Sequence, residues 1–301
     1  MNRPRTVADA LVAARTALAS AGIDQPALDA RLLLAEATGL GLAQLIGWGE
    51  RPLAAGEAER LEAILRRRLA REPIAYILGR KEFWSLDFAV DRRVLIPRPD
   101  SETLVEAVLA SIDDHRRPLR ILDLGTGSGC LLLALLSELP TASGAGVDRS
   151  LPALQLAQQN AERLGLAHRT TFIASDWGSA VAGRFDLVVA NPPYVTDADW
   201  RQLGPEINRY EPQAALLAGS DGLDAYRRIL PAARRLLTDT GAIFLEFGAG
   251  QAEGVIDIAA SAGFEYTEIR DDLVGIARCL QLRPVETPPA NKWLGNKAFP
   301  V

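Results

Sequence analysis

From residue 120 onward the chain alternates short apolar runs with amphipathic stretches, and that rhythm constrains the fold more than any other feature. Strand patterns at 121–124, 145–148, 171–174 and 185–190 are interleaved with helical patterns at 131–139 and 152–164. A helix near 226–237, a strand at 242–247, a further helix and two closing strands near 265–269 and 276–280 complete the series. Such alternation requires crossovers between parallel neighbours. The predicted fold class is therefore α/β: a Rossmann-like, mostly parallel open sheet with helices on both faces. A ligand of such a sheet sits at the carboxyl ends of the central strands, where the strand order reverses.

The chain before this region has a different texture. Residues 6–71 carry helical periodicity interrupted at Gly22, Gly39 and 47–52. Val7, Leu11 and Leu18, then Leu28, Leu32 and Ala35, then Leu61, Leu65 and Leu69 recur at helical spacing, which predicts a small helical bundle. Arg66, Arg67, Arg68 and Arg71 crowd the end of its last long helix, where cations suit the helix dipole; a solvated helix end is expected there in preference to a binding patch. Strand patterns at 83–90 and 94–96, around Asp91-Arg92-Arg93, predict a β-hairpin connecting the two regions. Pro97-Arg98-Pro99-Asp100-Ser101-Glu102 stops it and starts a helix near Glu102. The expected organisation is an N-terminal helical domain (1–80), a hairpin linker (81–100), an α/β domain (101–283) and a tail (284–301) without periodicity, read as an extended or poorly ordered segment.

Charge and composition narrow the function. Lys and Arg number 33 against 38 Asp and Glu, a net charge of -5, so phosphate backbones are not generally attracted and no direct nucleic-acid substrate is expected. The two cysteines, Cys130 and Cys279, lie in apolar runs and read as buried free thiols. His115 and His168 stand far apart and outside ligand spacing, so no metal is expected. The longest apolar stretch, 130–137, is too short to cross a bilayer, and the N-terminus has no charge-free apolar segment. A cytoplasmic protein without membrane partners is expected.

Asp123-Leu124-Gly125-Thr126-Gly127-Ser128-Gly129 follows a predicted strand and opens a helix, so its glycines permit a tight turn and a close ligand approach. The spacing Gly-x-Gly-x-Gly differs from the dinucleotide Gly-x-Gly-x-x-Gly, and no Gly-Lys-Ser/Thr follows to make a phosphate loop. A nucleoside with an uncharged linker, as in S-adenosylmethionine, fits better. Asp148 ends the next strand, where a carboxylate can accept from both ribose hydroxyls; the alternative role, a helix cap, can be filled by Ser150. Asp176-Trp177 follows the third strand and offers an acceptor and an aromatic face for an adenine ring, although position alone leaves Trp177 open between ligand contact and core.

Asn191-Pro192-Pro193-Tyr194 ends the fourth strand, beside the glycine turn in a sheet of this kind. The nitrogen of an amide or aromatic amine is a poor nucleophile because its lone pair is delocalised. Asn191 Oδ1 and the Pro192 carbonyl can accept its two N–H bonds and aim the lone pair at a sulfonium methyl, while Tyr194 can stack on the planar group. No strong general base is needed, since the methylated nitrogen is acidic enough to lose a proton to water. This tetrapeptide beside such a turn occurs in amino-directed DNA methyltransferases and in protein glutamine methyltransferases.

Motifs elsewhere separate the two. Arg71-Glu72-Pro73-Ile74-Ala75-Tyr76-Ile77-Leu78-Gly79-Arg80-Lys81-Glu82-Phe83-Trp84, then Val94-Leu95-Ile96-Pro97-Arg98-Pro99-Asp100-Ser101-Glu102, Glu211-Pro212-Gln213-Ala214-Ala215-Leu216 with Asp221-Gly222-Leu223-Asp224, and Leu245-Glu246-Phe247-Gly248 with Gln251 resemble the peptide chain release factor glutamine N5-methyltransferases across residues 5–282. The resemblance implies that Gly125, Thr126, Gly127, Ser128, Gly129, Asp148, Trp177 and Asn191 bind S-adenosylmethionine, released as S-adenosylhomocysteine. It also implies that Asn191, Pro192, Pro193 and Tyr194 hold the substrate glutamine of a release factor, with Asn191, Pro192 and Tyr194 catalytic and the helical domain docking the factor. Ser101 stands where the family usually has Thr, and the tail has no counterpart; neither departure is expected to touch the chemistry. Alternatives are glutamine methylation of a ribosomal protein by the sister enzymes, adenine-N6 methylation of DNA, and a non-catalytic binding module of the same fold.

Overall fold

The computed structural model describes residues 6–285, so most of the expected tail lies outside the described residues. Five helices come first: α1 (Val7–Ser20), α2 (Pro26–Thr38), α3 (Leu42–Gly47), α4 (Ala55–Leu69) and α5 (Ile74–Leu78). Helix α1 starts because Thr6 and Asp9 cap each other's backbone N–H groups, and α2 starts on Pro26 and stops at left-handed Gly39. Val7, Ala10, Ala14, Leu18, Leu45 and Leu61 are buried between these helices. The buried stripe of α2 is Ala30, Leu33, Leu34 and Ala37, not the predicted Leu28, Leu32 and Ala35; Leu28 is 44% exposed. Turning this stripe toward α1 and α4 also brings Asp29 against α4.

That rotation explains the arginine cluster, which is not the solvated helix end expected from sequence. Arg68 is buried; its Nε donates to Asp29 Oδ2 at 2.7 Å and its Nη1 to Glu206 Oε1 at 3.2 Å. Arg71 donates to Glu206 Oε1 at 3.1 Å and to the Ala21 carbonyl at 2.8 Å, and Arg67 pairs with Glu72 through two bonds. Only Arg66 of the four stays largely in solvent. The cations fasten the helical region to the α/β region through Glu206.

The connecting hairpin is β1 (Arg80–Phe83) and β2 (Leu86–Ala89), with Arg80 opposite Ala89 and Phe83 opposite Leu86. Its turn is Trp84-Ser85, both at positive φ (53° and 57°), whereas sequence placed the turn at Asp91-Arg92-Arg93. Two carboxylates hold this turn: Glu102 Oε1 accepts from Trp84 N–H at 2.8 Å and Glu82 Oε1 from Ser85 N–H at 2.6 Å. Residues 94–96 form no strand. Asp91 instead turns back onto Arg93, and the Ile96 N–H donates to Glu211.

The remaining elements are α6 (Glu102–Ala110), β3 (Arg120–Leu124), α7 (Cys130–Glu138), β4 (Ser143–Asp148), α8 (Leu151–Arg163), β5 (Thr170–Ala174), β6 (Phe185–Ala190), the short α9 (Asp197–Trp200) and α10 (Pro205–Tyr210), α11 (Asp224–Leu236), β7 (Leu237–Glu246), α12 (Ala252–Ser261), β8 (Phe264–Asp271) and β9 (Ala277–Pro284). The strand order is β5-β4-β3-β6-β7-β9-β8; the first five are parallel and β9 runs antiparallel between β7 and β8. This is the predicted mostly parallel sheet. Ile121, Leu187, Val189 and Phe244 face α6, α7 and α8, while Leu122, Val188, Ile243 and Leu245 face α11 and α12, as the two-residue strand period demands. Buried Asn160 of α8 ties the layers together, exchanging two bonds with the Ala89 backbone and donating to the Ser128 carbonyl at 2.9 Å.

Arg68→Ala should cost about 3–5 kcal/mol, because it strands the buried Asp29 carboxylate. Equilibrium denaturant unfolding measures this, and a loss under about 1 kcal/mol would show that the pair behaves as a surface bridge.

Candidate active site

The carboxyl ends of β3, β4 and β6 open onto a cavity of about 550 Å³. Its floor is the turn after β3. Gly125 has φ 82°, and a Cβ there would lie 3.3 Å from the Trp177 ring, so only glycine lets that ring close over the turn. The Gly125 and Thr126 N–H groups both donate to the Val147 carbonyl at 2.8 Å, which anchors the turn to β4. Beneath it, Thr126 Oγ1 donates to Asp123 Oδ2 at 2.7 Å, whereas Asp123 Oδ1 is buried with no hydrogen bond among the described residues. Burial pushes the Asp123 carboxyl up to about 7.

Asp148 reaches the turn from β4. Its Oδ2 accepts from Gly127 N–H at 3.0 Å and its Oδ1 from Ser150 N–H at 2.8 Å, while Ser150 caps α8. A carboxylate has about four acceptor positions, so both oxygens keep capacity for hydroxyl donors. Asp176 and Trp177 stand on the adjacent wall, and Asp176 pairs with Arg228 of α11.

Asn191 closes the other side. Its Nδ2 donates to Ser101 Oγ at 2.9 Å, and Oδ1 takes no hydrogen bond among the described residues. Gly125, Thr126, Gly127, Ser128, Asp148, Trp177, Asn191 and Pro193 all border the cavity. Gly129, Pro192 and Tyr194 do not. Gly129 begins α7 against Leu133 and Ala157, and Pro192 is buried. Tyr194 turns away from the cavity: its hydroxyl donates to Glu246 Oε1 at 3.3 Å, and its carbonyl accepts from Gln251 Nε2 at 3.0 Å. Burial raises the Tyr194 pKa well above the usual phenol value, so the hydroxyl keeps its proton.

Three residues of the site escaped sequence reasoning. Ser101, read as remote from the chemistry, is the direct partner of Asn191. Glu211 is buried and accepts from Arg98 and from the Ile96 N–H at 3.1 Å, joining the wall at 97–101 to the loop at 212–215. Glu246, at the end of β7, lies beneath Tyr194 and burial pushes it up to about 7. Their motifs were visible, but the contacts span 52 to 115 residues and no local pattern reports them. Cys130, expected to be buried, is half-buried on the cavity wall, while Cys279 is buried as expected.

Comparison with known proteins accounts for this arrangement. Residues 9–79 match the PrmC N-terminal domain and residues 100–206 the methyltransferase small domain. The release factor glutamine methyltransferase of Rhodospirillum rubrum is 46% identical over 263 residues, covering 87% of this chain and 80% of that protein. That of Bradyrhizobium diazoefficiens is 43% identical over 275 residues, covering 90% and 92%. This chain belongs to the release factor glutamine methyltransferase family. Among solved structures, the Thermus thermophilus 16S rRNA N2 G1207 methyltransferase, in complex with AdoMet and guanosine, superposes with a TM-score of 0.50 at 20% identity. The match covers 68% of this chain and 49% of that one and reports the shared fold.

For a member of the release factor glutamine methyltransferase family the cavity has suitable chemistry. Asp148, beside the glycine turn, keeps acceptor positions for ribose hydroxyls, and Trp177 brings an aromatic ring over the same turn. The residues present therefore fit S-adenosylmethionine. Among the described residues no helix is long and apolar enough to cross a membrane, and no group of three His, Cys, Asp or Glu is placed to hold a metal.

The buried Asp123 makes a stability prediction. Its folded-state pKa, about 7, lies above the ordinary 3.8, so the folded form binds the proton more tightly. The stability it contributes is full below about 3.8 and is lost as pH rises through about 7. Asp123→Asn should therefore gain on the wild type, by on the order of a few kcal/mol, as pH rises across that window, and level off above it. Thermal unfolding across that range checks this; a difference that does not change with pH would contradict it.

Proposed function

We propose that this protein transfers the methyl group of S-adenosylmethionine to the side-chain amide nitrogen of glutamine in the Gly-Gly-Gln motif of a peptide chain release factor, in the cytoplasm. The observation that carries this reading is the Asn191 amide. Ser101 holds its nitrogen, so its oxygen is left to face the cavity beside the glycine turn as a hydrogen-bond acceptor. An acceptor fixed there suits a primary amide, whose N–H groups need acceptors and whose lone pair must be aimed.

When bound, the cofactor supplies an electrophilic methyl on sulfur. Gly125, Thr126, Gly127, Ser128, Asp148 and Trp177 would hold it, Gly129 would shape the turn, and Asn191 and Pro193 would line the meeting point with substrate. The Asn191 Oδ1 would accept a glutamine N–H bond, while Pro192, buried off the cavity, would fix the course of the loop that carries Asn191 in place of the expected direct contact with substrate. Tyr194 would act from behind, bracing the loop through Glu246 and Gln251 in place of stacking on the substrate. Catalysis then comes from alignment and fixed dipoles, with the proton leaving to water. The helical region at 6–78, fastened through Arg68 and Arg71 to Glu206, would extend the surface that meets the release factor.

Incubation of purified protein, S-adenosylmethionine and intact release factor should add one methyl to the Gly-Gly-Gln peptide by mass spectrometry. Unmodified release factor together with a labelled ribosomal protein would move the substrate to the sister class, and label on duplex adenine would move it to DNA. Asn191→Ala should lower turnover on the order of a hundredfold or more while calorimetric cofactor affinity stays within about threefold, less than 1 kcal/mol. An equal loss in both would make Asn191 chiefly a cofactor ligand.

A further inference from the structure

Two segments outside the sheet border the cavity, the wall at 94–98 and the loop at 212–218, and one buried side chain joins them. The Glu211 side chain is 2% exposed. Its Oε2 accepts from the Ile96 N–H at 3.1 Å and its Oε1 from the Arg98 guanidinium. The far end of the loop is stitched to the tetrapeptide: Val195 N–H donates to the Leu216 carbonyl at 2.9 Å, and Ala218 N–H donates to the Val195 carbonyl at 3.0 Å. The wall reaches the tetrapeptide too. Ser101 donates its N–H to the Arg98 carbonyl at 3.1 Å and holds Asn191 through its Oγ.

Glu211 is itself placed by α10, which precedes it. Tyr210 Oη donates to the Ala70 carbonyl at 2.8 Å, the Arg92 guanidinium lies 4.5 Å from the centre of the Tyr210 ring, and Glu206 pairs with Arg68 and Arg71. The carboxylate therefore projects from a strap anchored on the helical region. Its chemistry is specific to the task. Ile96 and Arg98 both present donors, and Pro97 between them has no N–H. A carboxylate offers an acceptor oxygen to each, whereas an amide of the same shape offers one oxygen and turns an NH₂ group on the other donor. An apolar side chain would fill a buried position without the cost of desolvating a charge. The carboxylate holds a geometry that packing alone would leave free. We propose that Glu211 is a positioning residue whose carboxylate grips Ile96 and Arg98 together. It thereby fixes the wall at 94–98 and the loop at 212–218 at the separation in which the cofactor methyl and the substrate amide meet.

This inference rests on the proposed methyl transfer but concerns a clamp present without substrate. Glu211 does not border the cavity, so it acts through the two segments it holds. A weak amide nucleophile reacts only when its lone pair is aligned with the methyl group, and a displacement of about 1 Å is enough to lose most of the rate. Loosening the clamp leaves both reactants able to bind and lowers the fraction of bound complexes that are aligned, so kcat falls in preference to KM.

The test combines kinetics with a measurement that needs no substrate. At saturating cofactor and release factor, Glu211→Gln should lower kcat about tenfold, the order expected from one lost charge-assisted hydrogen bond, with each KM changed by less than about threefold. Adding Arg98→Gln should restore kcat by about threefold or more. The second amide then accepts from the NH₂ introduced at 211, and the oxygen there returns to the Ile96 N–H. Glu211→Ala should speed hydrogen exchange of the Ile96 amide about tenfold or more while the amides of β3, β4 and β6 keep their rates. An unchanged kcat, a loss confined to either KM, no recovery in the double variant, or exchange that quickens equally across the sheet would overturn the proposal. If Glu211→Gln does not fold, Glu211→Asp, which keeps the charge but draws the carboxyl back by one methylene, takes its place with the same expected loss of kcat. Wild type inactive on release factor, with Ile96 exchange still governed by Glu211, would reject the reaction and keep the clamp.

Discussion

Parallel pairing of β3 with β4 on one side and β6 on the other is the constraint from which the site follows. Leu124 stands opposite Val147, and Asp123 stands opposite both Gly146 and Val189. With those registers fixed, the turn after β3, the carboxylate ending β4 and the tetrapeptide after β6 must leave the sheet at one edge within reach of each other. Burial of apolar strand faces on both sides enforces the register, because a one-residue slip would turn Ile121, Val189 and Phe244 into the wrong layer. The site is thus a consequence of core packing before any of its polar contacts form.

Those polar contacts run against the preferences of a dry interior. Asp123 and Glu246 are each buried with one oxygen unpartnered among the described residues, and burial lifts both pKa values into the range of neutral pH. Asp123 supports the turn through Thr126, and Glu246 lies behind Tyr194. A core optimised for stability alone would fill these positions with apolar side chains. Their placement directly beneath the two halves of the cavity links stability given up to shape retained.

Much of this was legible in sequence, because its carriers are local. Glycine spacing after an apolar run, an acid ending the next strand and Asn191-Pro192-Pro193-Tyr194 each combine a backbone requirement with a side-chain chemistry over a few residues. Helical and strand periods likewise reported the layers. The hairpin turn was misplaced because Trp84-Ser85 lacks the Asn-Gly signature of a primed turn and is held by Glu82 and Glu102, the latter 18 residues away. The stripe of α2 was misjudged because two apolar series fit its period, and only packing on α1 and α4 selects one. Arg68 read as solvent-facing because its partners, Asp29 and Glu206, are 39 and 138 residues distant. Ser101 and the inward turn of Tyr194 were hidden for the same reason.

The central claim is that the Asn191 oxygen, fixed by Ser101, receives the substrate amide on the cavity side of the glycine turn. A crystal structure of the protein with S-adenosylhomocysteine and a Gly-Gly-Gln peptide tests it most directly. The account predicts the glutamine nitrogen within hydrogen-bond distance of Asn191 Oδ1, with Asn191 Nδ2 still on Ser101. A glutamine amide bound elsewhere, or an Asn191 side chain released from Ser101 and donating to the substrate, would contradict it.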